Sequence, residues 1–416
     1  MMRRRFMGTT ERAAELDAGV DETGRVDETG GARPLRGGRW HVGYTQARHG
    51  LRNYWYPALF SHEIEDGTFR TRRMLGENIL FNRVDGTVLA VADSCVHHMV
   101  RLSAKPGGAE SHVPGTVTCW YHGFTYDMRT GDLTGVLTQP DCPLIGRAKI
   151  ASYPVAERQG VVFAWIGDDE PGPLEADVPP GFLGEDHKVV GLRRTIASNW
   201  RLGAENGFDP THIYFHREAP IVTGTSRRMP LGLNMVPGKE PEFVSAGGRR
   251  GLVDMLRENY EPLYEAEVNG SVVKATGTHR STTEEGSIWL PGVLKITKFL
   301  PDPEMTHFEW YVPIDEDRHD YVQMLVRPCA NADEEKDFVA QYHGMWEQMF
   351  HRDGFNDQDI WARCALQEVF ANEDEWSSEQ LMKPDMALIH WRRLVHGHAR
   401  GFQGPPRFAA PKDSVD

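Results

Sequence analysis

The sequence predicts an α+β protein in two parts, a small all-β domain followed by an antiparallel-sheet domain with helices. Three observations predict it. Residues 51–167 are short β-type runs broken by Gly and Asp turns, and residues 167–182 are acidic and rich in proline. Beyond residue 188 strand-like and helical stretches are mixed, with the helical ones gathered near the end.

Length and composition bound the function. A chain of 416 residues is long enough for two cores, and a hydrophobic fraction of 40% is that of a folded protein. With 46 Lys and Arg against 60 Asp and Glu, the net charge of −14 speaks against a nucleic-acid surface. No apolar run approaches the roughly 20 residues that span a bilayer, and the basic start at residues 1–6 is not followed by an apolar stretch, so neither membrane insertion nor secretion is expected. The five cysteines, Cys95, Cys119, Cys142, Cys329 and Cys364, are odd in number and scattered. They predict no disulfide framework and fit a reducing cytoplasm.

Taken in order, residues 1–38 lack hydrophobic periodicity and read as a mobile extension, with Val-Asp-Glu-Thr-Gly occurring twice as low complexity. The β-type runs of the first domain, 51–167, are 55–60, 74–84, 87–92, 117–127 and 161–166. The segment 167–182 reads as a linker. In the second domain, 183–405, residues 237–250 read as a loop or lid, full of Gly and charge. The runs 287–299 and 307–314 read as strands. Residues 334–350 and 357–370 have the period of amphipathic helices, with Asn356 as the cap of the second.

Two stretches carry chemistry. In the first, Cys95-Val96-His97 is followed, after 21 intervening residues, by Cys119-Trp120-Tyr121-His122. Two thiolates and two imidazoles from two hairpin loops can hold zinc tetrahedrally, or a Rieske-type 2Fe-2S cluster in which Cys binds one iron and His the other. Each loop supplies one Cys and one His, as a cluster with two unlike irons requires, and the aromatic surroundings favour a shielded redox site. In the second, 205–216, Asp209-Pro210 is a helix-start signal, which places His212 and His216 on one helix. At about 100° per residue the two rings fall within roughly 40° of each other and can chelate one metal ion. Asp209 is placed to accept the second N–H of His212 and fix its tautomer.

The Cys-x-His and Cys-x-x-His pair, followed by Asn206-x-x-Asp209-x-x-His212-x-x-x-His216, resembles the large (alpha) subunit of Rieske non-haem iron aromatic-ring-hydroxylating oxygenases. The resemblance runs from about residue 50 to 400. Four longer stretches, 205–216, 287–295, 308–315 and 355–363, are far more specific than the metal motifs and are similar to the members that attack carbazole. It implies a Rieske domain with one 2Fe-2S cluster, then a catalytic domain with one mononuclear Fe(II). The carboxylate completing two His and one acid on iron comes from a late helix in the family, and the match puts Asp359 there, with Asp357 and Asp353 as neighbouring rivals.

The resemblance further implies a homotrimer in which Asp209 bridges His122 of one subunit and His212 of the next. Electrons come from a ferredoxin and its reductase, with NAD(P)H as ultimate donor, since no convincing flavin or nicotinamide motif is present. The expected reaction adds both atoms of dioxygen to an aromatic heterocycle, by angular cis-dihydroxylation of carbazole to 2'-aminobiphenyl-2,3-diol. Monooxygenation or demethylation of another aromatic substrate is the alternative. A cluster-only electron carrier and a zinc-stabilised binding protein rank far behind. Candidate substrate contacts are the Gly207 carbonyl, Leu294, Ile296, Phe299 and Phe355. His98 stands where many relatives have Arg, Cys364 where they often have Glu, and His307 and Gly286 also differ from close relatives.

Overall fold

A computed structural model describes residues 40–219, 231–236, 241–253, 260–274, 285–297, 302, 304–352 and 354–406. The expected mobile extension, Phe299 and Asp353 lie outside the described residues.

After the short helix α1 (Trp40–Gln46), ten strands build the first domain: β1 (Tyr54–Phe60), β2 (Phe69–Met74), β3 (Glu77–Val84), β4 (Thr87–Ala92), β5 (Thr116–Thr118), β6 (Phe124–Asp127), β7 (Leu133–Val136), β8 (Ser152–Tyr153), β9 (Val155–Arg158) and β10 (Val161–Ile166). They form three antiparallel sheets, β1-β10-β9, β2-β3-β4-β8 and β5-β6-β7. The run 117–127, expected as one strand, is interrupted. Gly123 at φ 71° turns the chain, and β5 and β6 pair across the Cys119–His122 loop.

The second domain is organised on a seven-stranded antiparallel sheet. In chain order its region contains β11 (His187–Ile196), β12 (Gly232–Met235), β13 (Glu242–Ala246), β14 (Arg249–Val253), β15 (Tyr260–Leu263), β16 (Glu265–Val268), β17 (Ser271–Lys274), β18 (Glu285–Trp289), β19 (Val293–Thr297), β20 (Thr306–Pro313) and β21 (His319–Pro328). The sheet order is β11-β21-β20-β19-β18-β14-β13, while β12 with β15 and β16 with β17 form separate ribbons. The expected loop or lid at 237–250 is corrected over 241–250, its first residues, 237–240, lying outside the described ones: Gly247 and Gly248, both at positive φ, turn a hairpin that adds β13 and β14 to the sheet edge. Glycine and charge there mark a tight turn with exposed flanks. Helices α2 (Trp200–Phe208), α3 (Ala332–Gln341), α4 (Glu347–His351), α5 (Phe355–Phe370) and α6 (Met386–His398) complete the domain. No helix among the described residues is long and apolar enough to cross a membrane.

Strand β20 shows how the two faces of one sheet differ. Its alternation puts Phe308, Trp310 and Val312 on one face, packed in the main apolar core, and His307, Glu309 and Tyr311 on the other, toward the helices. The first face meets the β domain: Phe182 packs edge-on against Phe163 of β10, Phe308 and Trp310, with centroids at 6.2, 5.3 and 5.0 Å. The expected linker is therefore a packed strap. Leu174, Val178 and Phe182 are buried, and the Asp177 carboxylate accepts the amide of Trp55 at 2.9 Å.

Candidate metal centres

The cluster loops are built by backbone turns. The Met99 amide donates to the Cys95 carbonyl at 3.0 Å, and the Gly123 amide to the Cys119 carbonyl at 2.9 Å. Cys95 and Cys119 are buried while His97 is exposed and His122 partly so, which sets sulfur inward and imidazole outward. The His97 and His122 rings lie 4.8 Å apart, and His97 is backed by Phe124 at 5.0 Å with planes 14° apart. His98 joins the same group, since ring nitrogens of all three histidines lie within 4.8 Å of one another. Its ring is farther from His122, at 5.5 Å.

The sulfurs sit among donors. Tyr126 accepts the Val96 amide at 3.1 Å, so its own proton is directed at Cys95 Sγ, 3.2 Å away. The Cys119 thiol, the Tyr126 hydroxyl and the amides of His97 and His98 bring the Cys95 thiol down to about 6 against the effect of burial. The adjacent Cys95 sulfur and burial push Cys119 up, opposed by the amides of Tyr121 and His122. Such a ring of donors stabilises sulfur-held negative charge, as an iron-sulfur cluster requires.

The second centre differs in its local structure from the sequence expectation. Asp209 does not start the helix of the histidines. It caps the end of α2, its amide meeting the carbonyls of Glu205 and Asn206 at 2.8 and 3.3 Å, and His212–Glu218 is a 3-10 helix. At about three residues per turn, positions four apart diverge by about 120°, so a shared helical face does not align the rings. They are held by their hydrogen bonds instead. His212 Nδ1 donates to the Asp209 backbone carbonyl at 2.6 Å, and His216 Nδ1 to Gln358 Oε1 at 2.8 Å. The Asp209 carboxylate, expected to hold His212, takes the amide and hydroxyl of Thr211 at 2.7 and 2.8 Å.

With both Nδ1 atoms protonated, each Nε2 presents its lone pair. Both face Asp359 Oδ1, at 3.5 Å from His212 and 3.3 Å from His216. His216 Nε2 and Asp359 Oδ1 are buried without a hydrogen-bond partner. Unpaired acceptors converging in a buried site are costly unless a cation joins them, so these residues fit a metal ion. The rival Asp357 is engaged elsewhere, with Arg194 and with the Gly354 amide at 3.3 Å. This arrangement also corrects the expected cap: Gly354 precedes α5, and Asn356 is buried within it.

Phe355 stacks on His216 with centroids 3.7 Å apart. Leu294 is buried on β19, and Ile296 packs between both apolar cores. Gly207 lies where α2 closely approaches the sheet, so an added Cβ would strike the Tyr311 hydroxyl and crowd Leu294. Sequence reasoning missed Gln358 and Tyr126. The first adjoins Asp359 on its helix and the second lies four residues after His122, but neither type signals its partner without the fold.

Residues 54–154 match the family described as the Rieske 2Fe-2S domain, and residues 165–403 the homotrimeric ring hydroxylases. The chain is 42% identical to the terminal oxygenase component of carbazole 1,9a-dioxygenase from Metapseudomonas resinovorans, over 86% of this chain and 94% of that one. Its fold is similar to the terminal oxygenase of carbazole 1,9a-dioxygenase from Nocardioides aromaticivorans IC177, with TM-score 0.82 and 43% identity over 87% of this chain and 98% of that one. It is equally similar to the reduced complex between oxygenase and ferredoxin in carbazole 1,9a-dioxygenase, with TM-score 0.83 and 42% identity over 87% and 93%. An inward pair of sulfurs in one domain and a buried two-histidine, one-carboxylate centre in the next thus coincide with these matches, and the chain belongs to the Rieske ring-hydroxylating oxygenases.

Proposed function

We propose that this chain is the terminal oxygenase component of an angular dioxygenase acting on carbazole. The observation that carries it is the convergence of His212 Nε2, His216 Nε2 and Asp359 Oδ1, with both histidine tautomers set for metal binding. These three hold the mononuclear iron. Cys95 and Cys119 hold one iron of the cluster, and His97 and His122 the other. When bound, the cluster supplies single electrons and the ferrous ion activates dioxygen, which as a triplet reacts slowly with closed-shell aromatic rings.

The chain's own residues orient and exclude. Phe355 offers a flat face stacked on His216, Leu294 and Ile296 add apolar surface from β19, and the Gly207 carbonyl accepts the ring N–H of carbazole. Carbazole, dioxygen, two electrons and two protons give a cis-diol at the carbon bonded to nitrogen and its neighbour. The hemiaminal then opens its C–N bond and rearomatises to 2'-aminobiphenyl-2,3-diol. Electrons reach the chain from a ferredoxin and its reductase, with NAD(P)H as the source. In a homotrimer Asp209 is the bridge to His122 of the neighbouring subunit, its carboxylate already oriented by Thr211. The five cysteines, all free of disulfides, support a cytoplasmic location.

A second reading keeps the Rieske oxygenase and changes the aromatic substrate, with monooxygenation or demethylation as its reaction: His307, which differs from close relatives, lies opposite Ile296 on the neighbouring strand, buried with Nε2 3.4 Å from Glu309 Oε1. The test is incubation of iron-loaded protein with reduced ferredoxin, carbazole and labelled dioxygen. Two labelled oxygens in an aminobiphenyl-diol are expected. One labelled oxygen, or untouched carbazole beside an intact Rieske spectrum, moves the reaction or the substrate elsewhere.

A further inference from the structure

Helix α5 buries three residues along one stripe, Asn356, Asp359 and Arg363, and all three are polar. A helix docked by such a face is held by specific bonds, and Arg363 makes the central ones. Its Nε donates to Asn206 Oδ1 at 2.6 Å, its Nη2 lies 3.8 Å from Glu309 Oε2, and its guanidinium covers the rings of Tyr311 and Tyr321 at 5.2 and 5.0 Å. Glu309 is in turn fixed by the Tyr321 hydroxyl at 2.7 Å, by Asn356 at 3.1 Å and by the Tyr311 hydroxyl. Arg363, Asn206 and Glu309 are all buried, so this bonding is not exchanged with water.

The connectivity is what matters. Arg363 lies one turn after Asp359 on α5. Asn206 lies on α2, which ends at Asp209, whose carbonyl orients His212. One side-chain bond therefore spans the two chain segments that supply the three converging ligand atoms. We infer that Arg363 is a positioning residue for the iron site: its bond to Asn206 ties the Asp359 helix to the histidine segment and sets the separation of the ligand atoms. The inference rests on the reading that His212, His216 and Asp359 hold iron.

The test is the affinity of the mononuclear site for Fe(II). It is measured anaerobically by competition with a chelator on full-length protein stripped of that iron but retaining its cluster. Outer partners of metal ligands change metal affinity by about 10–100-fold. Asn206→Ala and Arg363→Met are each expected to weaken Fe(II) binding about tenfold or more, and the double variant no further than Arg363→Met alone, because both remove the same bond. Arg363→Lys keeps the charge beside Glu309 but lacks the rigid fork, so it restores the unfolding midpoint without restoring iron affinity. A purely structural role would return both together. A cooperative unfolding transition followed by far-UV circular dichroism reports that each variant's catalytic domain is folded, and the Rieske absorption reports that its cluster is retained. If Arg363→Met does not fold, Asn206→Ala, which leaves Arg363 beside Glu309 at 3.8 Å, decides alone. Variants that bind Fe(II) as tightly as the parent, or losses that add in the double variant, overturn the inference. A parent that itself binds no Fe(II) overturns the reading beneath it as well.

Discussion

The side-chain oxygen of Gln358 lies 2.8 Å from Nδ1 of His216, and the next residue along α5 is Asp359, whose Oδ1 faces Nε2 of the same imidazole at 3.3 Å. Two neighbouring side chains thus address opposite edges of one ring. The first sets its tautomer and the second shares its lone-pair side.

Replacing Gln358 by Leu should therefore leave the fold intact and loosen the metal site. The expected loss of Fe(II) affinity is about 10–100-fold, with the Rieske spectrum unchanged. Gln358→Glu, which still accepts the Nδ1 proton, should recover most of it. Isothermal titration of both variants with Fe(II) checks this, and equal affinity of Gln358→Leu and parent would contradict it.

Tyr126 directs its proton at Cys95 Sγ because its oxygen already accepts the Val96 amide. A donor to a thiolate ligand favours the reduced, more negative cluster. Tyr126→Phe removes a bond of about 1 kcal/mol that is stronger in the reduced state, which lowers the cluster's midpoint potential by up to about 40 mV for a one-electron couple. Redox titration followed by electron paramagnetic resonance reads the shift directly. An unchanged or raised potential would sink the assignment.

Met99 holds φ 58°, a left-handed conformation that suits glycine, in the turn that closes on Cys95. Its side chain is exposed, so little packing is lost on truncation. Met99→Gly should stabilise the protein by roughly 0.5–1 kcal/mol, the relieved backbone strain exceeding the entropy added to the unfolded chain. Urea unfolding monitored by cluster absorbance measures it; a loss of stability would show that the side chain contributes more than the conformation costs.

His319 and His351 are buried, and burial lowers each to about 3. A histidine whose folded value lies below its unfolded one contributes stability that is complete above about pH 6.5 and drains as the pH falls toward 3. The two together give a slope of up to about 2.7 kcal/mol per pH unit within that window. His319 donates Nδ1–H to the Ser198 carbonyl at 2.7 Å, a bond that Asn can also make. His319→Asn should remove about half of the slope in urea unfolding measured between pH 6 and 4. A variant with the parent's slope would mean that His319 already titrates normally.

The cysteines and histidines that the fold gathers into two groups stood out in the sequence, because Cys-x-His and His-x-x-x-His spacings are chemical constraints that survive any local conformation, whereas Asp359 came only from the family resemblance. The local conformation itself was not. Asp209-Pro210 satisfies every rule for opening a helix, yet Asp209 closes α2, since an Asp side chain can take amides ahead of it while its own amide ends the helix behind it. Gly and charge at 237–250 read as a loop or lid, and nothing local indicated that the chain after Gly248 pairs with a strand more than thirty residues away in sequence. The partners of Gln358, Arg363 and Asn206 were hidden for the same reason, although Asn206 itself stood in the motif: their bonds reach across more than 140 residues.

Phe163, Phe182, Phe308 and Trp310 belong to two domains and one strap, yet they interlock as a single aromatic seam. The domains are therefore not interchangeable cartridges. A chimera that fits this catalytic half with a foreign cluster-bearing half must import the matching side of the seam, or it exposes several large rings to water. The same seam locks the cluster loops and the iron site of one chain into a fixed mutual orientation. Adjusting how far an electron must travel is then a matter of how whole subunits assemble, not of bending within one.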